Sequence, residues 1–286
     1  MSQTAAIGVR NILAPVDFNQ SNLRAAHEAR VLAKRFKAPV TLLHVSEDSD
    51  FYRFSPDAVE EPLGALRNRL EAFGADELSG VVTNRAITSG DPATSIVEFA
   101  EREECDLIVM PAHEYGPARR FLLGSVTAKV LDRAKCPVWT VASATRESNS
   151  DATKQVLCGV NFDSSAPDTI RWAAFFADAF RASLSVLSVL PPAPPKDVPD
   201  WFVSEWNEGA LAGLETRLKG LVQELGVQAE VLVDEGDTAT TLLNVAKLKK
   251  ADLLVIGRRP TKDGRGRLGG NTYAIVRHAP SPVVSV

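Results

Sequence analysis

Residues that can hold a phosphate follow an apolar run near the middle of the chain. The run 106–110 leads into a loop that ends at Gly124 and Ser125, directly before a segment with a helical pattern. Such an ending favours an anion, because a helix begins with backbone N–H groups that lack intrahelical acceptors and with the positive end of its dipole. The loop, however, opens on Pro111 and carries Glu114, where a phosphate-cradling backbone needs the freedom of glycine.

The elements that position this loop occur twice, because the chain is an internal repeat. Residues 11–18 match residues 155–162 at an offset of 144, and the endings 136–141 and 281–286 match at an offset of 145. So steady a register indicates duplication of one unit. The polar stretch between the copies lacks apolar residues that would offset the entropy of ordering it, as is typical of a linker. The predicted organisation is a first domain at 1–144, a linker at 145–153 and a second domain at 154–286.

Short β-branched runs alternate with helical patterns in each copy, which indicates βαβ crossovers and a parallel sheet. The runs are nearly continuous in apolar residues, as in strands buried on both faces. In the first copy the predicted strands are 11–16, 40–45, 81–88, 107–110 and 138–141. The predicted fold class is therefore α/β: two tandem doubly wound, Rossmann-like domains, each with a five-stranded parallel sheet and helices on both faces.

Helices between these strands show apolar residues at spacings of three and four. The stripe of the first helix consists of Leu23, Ala26, Ala29, Ala33 and Phe36. Asp91 and Asp237 each precede a helical pattern, so we expect both to act as helix caps. In a doubly wound fold the ligand lies beyond the carboxyl ends of the strands, where the strand order reverses. The residues at that edge are Asp17, Val45 and the segment 111–125.

At this point the sequence resembles the universal stress protein family, in a tandem form with two such domains. Five fragments carry the resemblance in order and at family-like spacing, and the second copy echoes them: 16–17, 42–45, 106–109, 122–126 and 136–138. The resemblance implies a fold related to that of adenine-nucleotide α-hydrolases. It also implies a nucleotide site in which an acidic residue follows the first strand and a Gly-x-x-Gly-x9-Gly-Ser/Thr segment surrounds ribose and phosphates.

In the first copy the family pattern places candidate nucleotide-binding residues at Asp17, Val45, Gly124 and Ser125. Pro111 and Glu114 occupy the two earlier glycine positions. Proline removes a donor, and a carboxylate beside a polyphosphate costs about 1 kcal/mol or more at a few ångströms. Arg119 and Arg120 either offset that charge or are solvated loop residues. The sequence predicts that this loop does not hold a phosphate.

In the second copy the candidate nucleotide-binding residues are Gly257, Gly270, Asn271 and Thr272. Asn161 stands at the acidic position and Pro260 replaces the second glycine. A shift of one residue leaves either Gly269 or Gly270 as the partner of Gly124. The intervening loop carries five basic residues, which either attract phosphate or form a mobile surface: Arg258, Arg259, Lys262, Arg265 and Arg267. The sequence leaves phosphate binding open here.

Two functions are compatible with these patterns. The first is a non-catalytic regulatory or binding protein of the stress response, with degraded nucleotide loops in both halves and an unidentified protein partner. The alternative is an ATP-binding protein with one functional site, Mg²⁺ as companion ion and at most slow hydrolysis. In either case the final strands of the two copies, 137–141 and 282–286, are expected to pair with each other and cover their exposed edges. That pairing makes an intramolecular pseudo-dimer, and the fold also allows a homodimer of chains.

Several other classes of function are disfavoured. The net charge of -4 without basic blocks disfavours nucleic-acid binding, and no run reaches the length of a membrane span. Three cysteines without metal-ligand spacing predict reduced thiols in a cytoplasmic protein, and His44 is expected to be a satisfied strand-end residue. No nucleophile elbow, His-Glu-x-x-His or Walker-type loop occurs. The aromatic segments 50–54 and 201–206 either cover a ligand or partner site or pack at the start of the following helix.

Overall fold

The computed structural model describes residues 7–46, 60–112, 122–142, 153–192, 200–260, 266–267 and 269–286. The described elements of the first half are β1 Ile12–Val16, α1 Gln20–Phe36, β2 Val40–Ser46, α2 Glu60–Ala72, β3 Thr83–Ser89, α3 Pro92–Arg102, β4 Leu107–Pro111, α4 Ser125–Arg133 and β5 Val138–Val141. Those of the second half are β6 Gln155–Gly159, α5 Ala166–Phe180, β7 Ser183–Leu190, α6 Asp200–Glu224, β8 Glu230–Glu235, α7 Thr238–Lys249, β9 Leu253–Ile256, β10 Arg259–Pro260, β11 Gly266–Arg267, α8 Gly270–His278 and β12 Val283–Ser285.

One ten-stranded sheet runs through both halves in the order β3-β2-β1-β4-β5-β12-β9-β6-β7-β8. All pairs within a half are parallel. This is the predicted doubly wound fold, and it occurs twice. The short strands β10 and β11 form a separate antiparallel hairpin, which the sequence patterns did not predict. In each half the strand order reverses between the first and fourth strands, so the ligand edge lies beyond β1 and β4 and beyond β6 and β9.

Two apolar layers cover the faces of the sheet. Helices α1, α2, α5 and α6 pack on one face, and α3, α4, α7 and α8 pack on the other. Successive strand residues alternate between the layers: Ile12 faces the first and Leu13 the second, as the two-residue period of a strand requires. No helix in the described ranges is long and apolar enough to cross a bilayer. Both layers run through both halves, so the two copies share their core.

The two halves meet at the antiparallel pairing of β5 with β12. Val284 lies opposite Trp139, and the Thr140 hydroxyl donates to the Val283 carbonyl at 3.0 Å. An aromatic cluster continues this contact on one face: Phe36 of α1 stacks on Phe175 of α5, with ring centroids 5.3 Å apart. The predicted pairing of the final strands within the chain is confirmed.

The three cysteine thiols are unpaired. Cys105 and Cys158 are buried and Cys136 is partly buried. Burial raises the pKa of Cys105 to about 12 and that of Cys136 to about 11, because a low-dielectric surrounding disfavours the thiolate. These groups are packing residues and weak nucleophiles at neutral pH.

Asp91 and Asp237 cap the third helix of each half, as the sequence predicted. The carboxylate of Asp91 accepts from the Thr94 N–H at 3.0 Å and from its hydroxyl at 2.7 Å. Asp237 makes the same two contacts with Thr240, at 2.9 and 2.6 Å. The threonine hydrogen bonds hold the pKa of both carboxyl groups below the ordinary value, since they favour the charged form.

This lowering of the pKa predicts a pH dependence of stability. A carboxyl group whose folded pKa is depressed stabilises the fold above its unfolded pKa, about 3.9, and the contribution disappears as the pH falls through the folded pKa. We expect the free energy of unfolding of the wild type to fall more between about pH 5 and pH 3 than that of the double variant Asp91→Asn, Asp237→Asn. Asparagine caps helices about as well but does not titrate in this range. Urea titrations at both pH values measure the difference, and equal losses in the two proteins would contradict the assignment.

Candidate functional site

The first half contains a cavity of about 470 Å³ at the carboxyl ends of its strands. All four residues predicted for this half, Asp17, Val45, Gly124 and Ser125, line it. Leu43, Ile96 and Met110 add apolar walls. Small-molecule sites commonly enclose roughly 300–1,000 Å³ with mostly apolar walls and a few polar groups. The cavity therefore has the size and lining of a ligand site.

Asp17 stands directly after β1 and is exposed. Its carboxylate accepts from the backbone N–H of Asn19 at 3.2 Å and from the Asn19 side-chain amide at 2.8 Å. Its own N–H donates to the buried Asn22 side chain at 2.9 Å. Asn19 thus orients the carboxylate and Asn22 holds the backbone of Asp17, and both asparagines line the cavity. The sequence patterns did not indicate either asparagine as a site residue, although Asn19 carries a detectable signal as the N-cap of α1.

Phe18, the residue after Asp17, also holds the turn that follows β1. Its φ is 65°, a left-handed conformation uncommon outside glycine, and its ring has two close neighbours. The Arg69 guanidinium lies 4.2 Å from the ring centroid, and the His44 ring lies 4.5 Å away, centroid to centroid. His44 itself contacts the Val16 carbonyl through Nδ1 at 2.9 Å. His44 is a satisfied strand-end residue, as expected, and it supports the turn that presents Asp17.

Helix α4 begins at the wall of the cavity, with Gly124, Ser125 and Thr127 among the lining residues. Gly124 is its N-cap, and the Gly124 N–H donates to the Ala112 carbonyl at 3.0 Å. The Thr127 hydroxyl donates to the Pro111 carbonyl at 2.9 Å. These two bonds fasten the first turn to the end of β4, with the positive end of the helix dipole at the cavity. Pro111 thus serves through its carbonyl oxygen, which proline retains. Glu114, Arg119 and Arg120 lie outside the described residues.

The second half has only about 60 Å³ at the equivalent place, which is room for a few water molecules. Gly257, Asn271 and Thr272 line it, and so does Asn161. Gly270 is the first residue of α8 and is not among the lining residues. The predicted residues are therefore brought together, apart from Gly270, around a space too small for a nucleotide.

Side chains of the protein itself fill the second cavity. A Cβ built at Gly159 would lie 2.6 Å from the Leu242 Cδ1, and one built at Gly257 would lie 2.8 Å from the Thr169 Oγ1 and 3.0 Å from the Ser165 Oγ. The space left by the two missing side chains is thus occupied. In the first half, Pro15 stands at the position of Gly159 and Pro111 at the position of Gly257. Ala25 stands where the second half has Thr169.

The register of the two glycine endings is also resolved. Gly124 caps α4 and Gly269 caps α8, and each helix has nine residues. Gly269 is therefore the structural partner of Gly124, and Gly270 corresponds to Ser125. The match of 270–272 to a Gly-Asn-Thr ending is displaced by one residue, because the last third of the repeat runs at an offset of 145.

The described basic residues of the second-half loop lie at two different places. Arg258 is buried at the boundary between the halves, where its guanidinium contacts backbone carbonyls. Arg259 and Arg267 lie opposite each other in the β10–β11 hairpin, and Lys262 and Arg265 lie outside the described residues. Arg258 is thereby removed from the set of phosphate-attracting candidates, since it is buried and its NH1 and NH2 groups bond backbone carbonyls.

Of the two aromatic segments singled out in the sequence, the structure describes the backbone of one. Residues 201–206 belong to the first turns of α6, so the backbone follows the alternative in which this segment begins the next helix. Residues 50–54 lie outside the described ranges.

Comparisons with known proteins agree with this architecture. The sequence profile of the universal stress protein family matches residues 8–142 and again residues 152–286. Universal stress protein MJ0531 of Methanocaldococcus jannaschii is 33% identical over 147 residues, which cover 48% of this chain and 85% of that protein. Universal stress protein Mb2028c of Mycobacterium bovis is 26% identical over 259 residues, covering 84% of this chain and 83% of that protein.

A solved structure shows the same fold along the whole chain. The crystal structure of a universal stress protein from Archaeoglobus fulgidus superposes with a TM-score of 0.72 at 18% identity, covering 98% of this chain and 96% of that one. The duplicated βαβ architecture is thus found in a known tandem arrangement. Because the family profile matches twice and spans nearly all of the sequence, this chain belongs to the universal stress protein family.

Proposed function

We propose that this tandem universal stress protein is a non-catalytic stress-response binding protein with one adenine-nucleotide site, in its first half. The observation that carries the proposal is the contrast between the two cavities, about 470 Å³ in the first half and about 60 Å³ in the second. A nucleotide needs a cavity of the volume found in the first half. The pocket geometry favours the half in which the sequence predicted no phosphate binding.

The lining of the first cavity supports a ligand with an apolar ring at one end and an anion at the other. Leu43, Val45 and Ile96 provide an apolar wall for a base, and the Asp17 carboxylate is an acceptor for the donor groups of adenine. The first turn of α4 supplies the positive end of a helix dipole for phosphate. Binding at this turn does not require the glycine-rich loop, because the dipole and the first-turn amides belong to the helix.

Magnesium would accompany ATP in this site. Mg²⁺ usually takes one or two carboxylates from a protein and completes its shell with phosphate oxygens and waters. Asp17 is the one carboxylate among the described lining residues of the cavity. Because this carboxylate is assigned to the adenine, Mg²⁺ in this site would be held by phosphate oxygens and water.

Binding measurements test the proposal directly. Isothermal titration with ATP and Mg²⁺ is expected to give one site per chain. Asp17→Ala should weaken ATP binding at least about tenfold, the usual loss of a hydrogen bond to a charged group. The matched control is Asn161→Ala, at the equivalent position of the second half, and it should change the affinity less than about twofold.

The other outcomes separate the two functional hypotheses. Two sites per chain, or an equal loss in the Asn161→Ala control, would contradict a single first-half site. Affinity weaker than about millimolar would reject nucleotide binding and leave the partner-binding function, in which both cavities have lost their ligand.

The proposal includes the organisation and location of the protein. We propose that the domains 1–144 and 154–286 work as one intramolecular pair, with 145–153 as the linker. Their shared sheet supports this arrangement. We also propose a cytoplasmic location, supported by three unpaired thiols of the kind that persist in a reducing compartment.

A further inference from the structure

Arg258 of the second half reaches the end of a helix in the first half. It follows β9 and is only 4% exposed. Its NH1 donates to the carbonyls of Leu131 and Ala134 at 3.1 and 2.8 Å, and its NH2 donates to the carbonyl of Cys136 at 2.8 Å. Leu131 lies in the last turn of α4, and Ala134 is its C-cap. A single side chain thus bonds two carbonyls at the carboxyl end of this helix and one just beyond it, while its buried Nε has no partner among the described residues.

The electrostatics of this contact are favourable. The carboxyl end of a helix carries partial negative charge and unpaired carbonyls. A guanidinium buried there supplies donors to these carbonyls, and its positive charge is stabilised by the helix dipole. Burial lowers the pKa of Arg258 to about 10, and Cys136 and Asp132 act in the opposite direction. The residue therefore remains charged at neutral pH.

In the described part of the first half, no residue makes the equivalent contact with the second half. The Arg258 N–H bonds the Val286 carbonyl at 2.7 Å, and the Ala112 N–H bonds the Val141 carbonyl at 3.0 Å, so Ala112 is the structural counterpart of Arg258. An alanine cannot reach across to the other half. The backbone of β11 also lies alongside α4, which adds a second contact from the same half.

The amino end of α4 is the end that faces the first cavity. Gly124 and Thr127 fasten it to β4, and Gly124, Ser125 and Thr127 line the cavity. Nine helical residues span only about 13 Å, so the helix transmits a displacement of one end to the other. Holding the carboxyl end therefore limits the motion of the phosphate-facing turn.

We propose that Arg258 is a positioning residue for the first-half site, through which the second half, its own cavity closed, supports ligand binding by its neighbour. This inference rests on the proposed nucleotide site. The second copy was retained, in this view, as a scaffold that clamps α4.

Substitution of Arg258 tests the inference with two independent measurements. In the nucleotide-free full chain, Arg258→Met should speed amide hydrogen exchange in α4 by about tenfold or more and leave the counterpart helix α8 unchanged. In binding assays it should weaken ATP by about five- to tenfold and adenosine by less than about twofold, because only the phosphate end depends on α4. Arg258→Lys, which keeps the charge and some of the donors, should restore part of the ATP affinity.

A matched control separates clamping of α4 from general loosening of the halves. Phe175→Leu weakens the aromatic contact with Phe36 across the same boundary without touching α4. It should leave the ATP-to-adenosine affinity ratio unchanged. Should Arg258→Met fail to fold, Arg258→Lys alone is expected to lower ATP affinity about two- to threefold with adenosine unaffected.

The outcomes distinguish this inference from the proposed function. If the wild type binds neither ATP nor adenosine, the nucleotide site is rejected, and with it the positioning role. Wild-type binding combined with unchanged exchange in α4, or with equal losses for ATP and adenosine, would overturn the role of Arg258 and leave the nucleotide site standing. An equal change of the affinity ratio in Phe175→Leu would also overturn it.

Discussion

Replacing Trp139 by alanine is expected to lower the free energy of unfolding by about 3–5 kcal/mol, the usual cost of removing a buried tryptophan. Trp139 lies on β5, is 1% exposed and is among the largest fully buried side chains. Its ring packs against Phe176 and Phe180 of the second half, with centroids 5.6 and 6.3 Å away. The loss therefore combines a cavity in the core with a weaker contact between the halves. Urea denaturation monitored by circular dichroism measures it.

Trp139→Phe is the matched control for this prediction. The buried Nε1 of Trp139 has no hydrogen-bond partner within the described part of the chain, and an unpaired buried donor costs about 1–3 kcal/mol. Phenylalanine removes that donor while it keeps most of the aromatic packing, so the net change should stay within about 1.5 kcal/mol. A loss below about 1 kcal/mol for Trp139→Ala would show that the aromatic cluster does not hold the halves together.

The fold was predictable because its signals are local. Each predicted strand of the first half ends within two residues of the observed one, since runs buried on both faces have a continuous apolar sequence. The pairing of β5 with β12 was predictable because an exposed edge needs a partner. The β10–β11 hairpin was not, since its strands have two residues each and no periodicity to detect.

The state of the two cavities depends on side chains that are distant in sequence. Gly257 looked favourable because glycine allows a ligand to approach the backbone. In the folded chain the space beside it is taken by Thr169 and Ser165, and Leu242 takes the space beside Gly159. The absence of a Cβ at a glycine leaves space, but the sequence does not show whether a ligand or another side chain occupies it. The sequence pattern therefore favoured the half whose cavity is closed.

The environment of Arg258 could not be predicted from the sequence either. In the sequence it is one of five basic residues in a loop, and such residues are usually solvated. Its burial follows from the pairing of β12 with both β5 and β9, which brings the end of β9 against the carboxyl end of α4. Only the assembled sheet reveals that its NH1 and NH2 groups bond carbonyl groups of the other half.

Proline at position 284 is expected to uncouple the two halves. Val284 is fully buried in β12, opposite Trp139 of β5 on one side and Val255 of β9 on the other. Proline has no N–H for the ladder and is excluded from the middle of a sheet, and a buried acceptor left without its donor costs about 1–3 kcal/mol. Loss of the valine packing adds about 1–2 kcal/mol more. We expect the free energy of unfolding to fall by at least about 3 kcal/mol.

The shape of the unfolding transition tests the structural reason for this loss. The continuous sheet should make the wild type unfold in one cooperative transition, whereas Val284→Pro should show two, one for each half. The neighbouring control, Ser285→Ala, removes a buried hydroxyl that has no partner among the described residues, so it should change stability by less than about 1 kcal/mol. If Val284→Pro retained a single transition at wild-type stability, the β5–β12 pairing would not be what joins the halves. The aromatic cluster around Trp139 and the Arg258 contacts with α4 would then have to couple them.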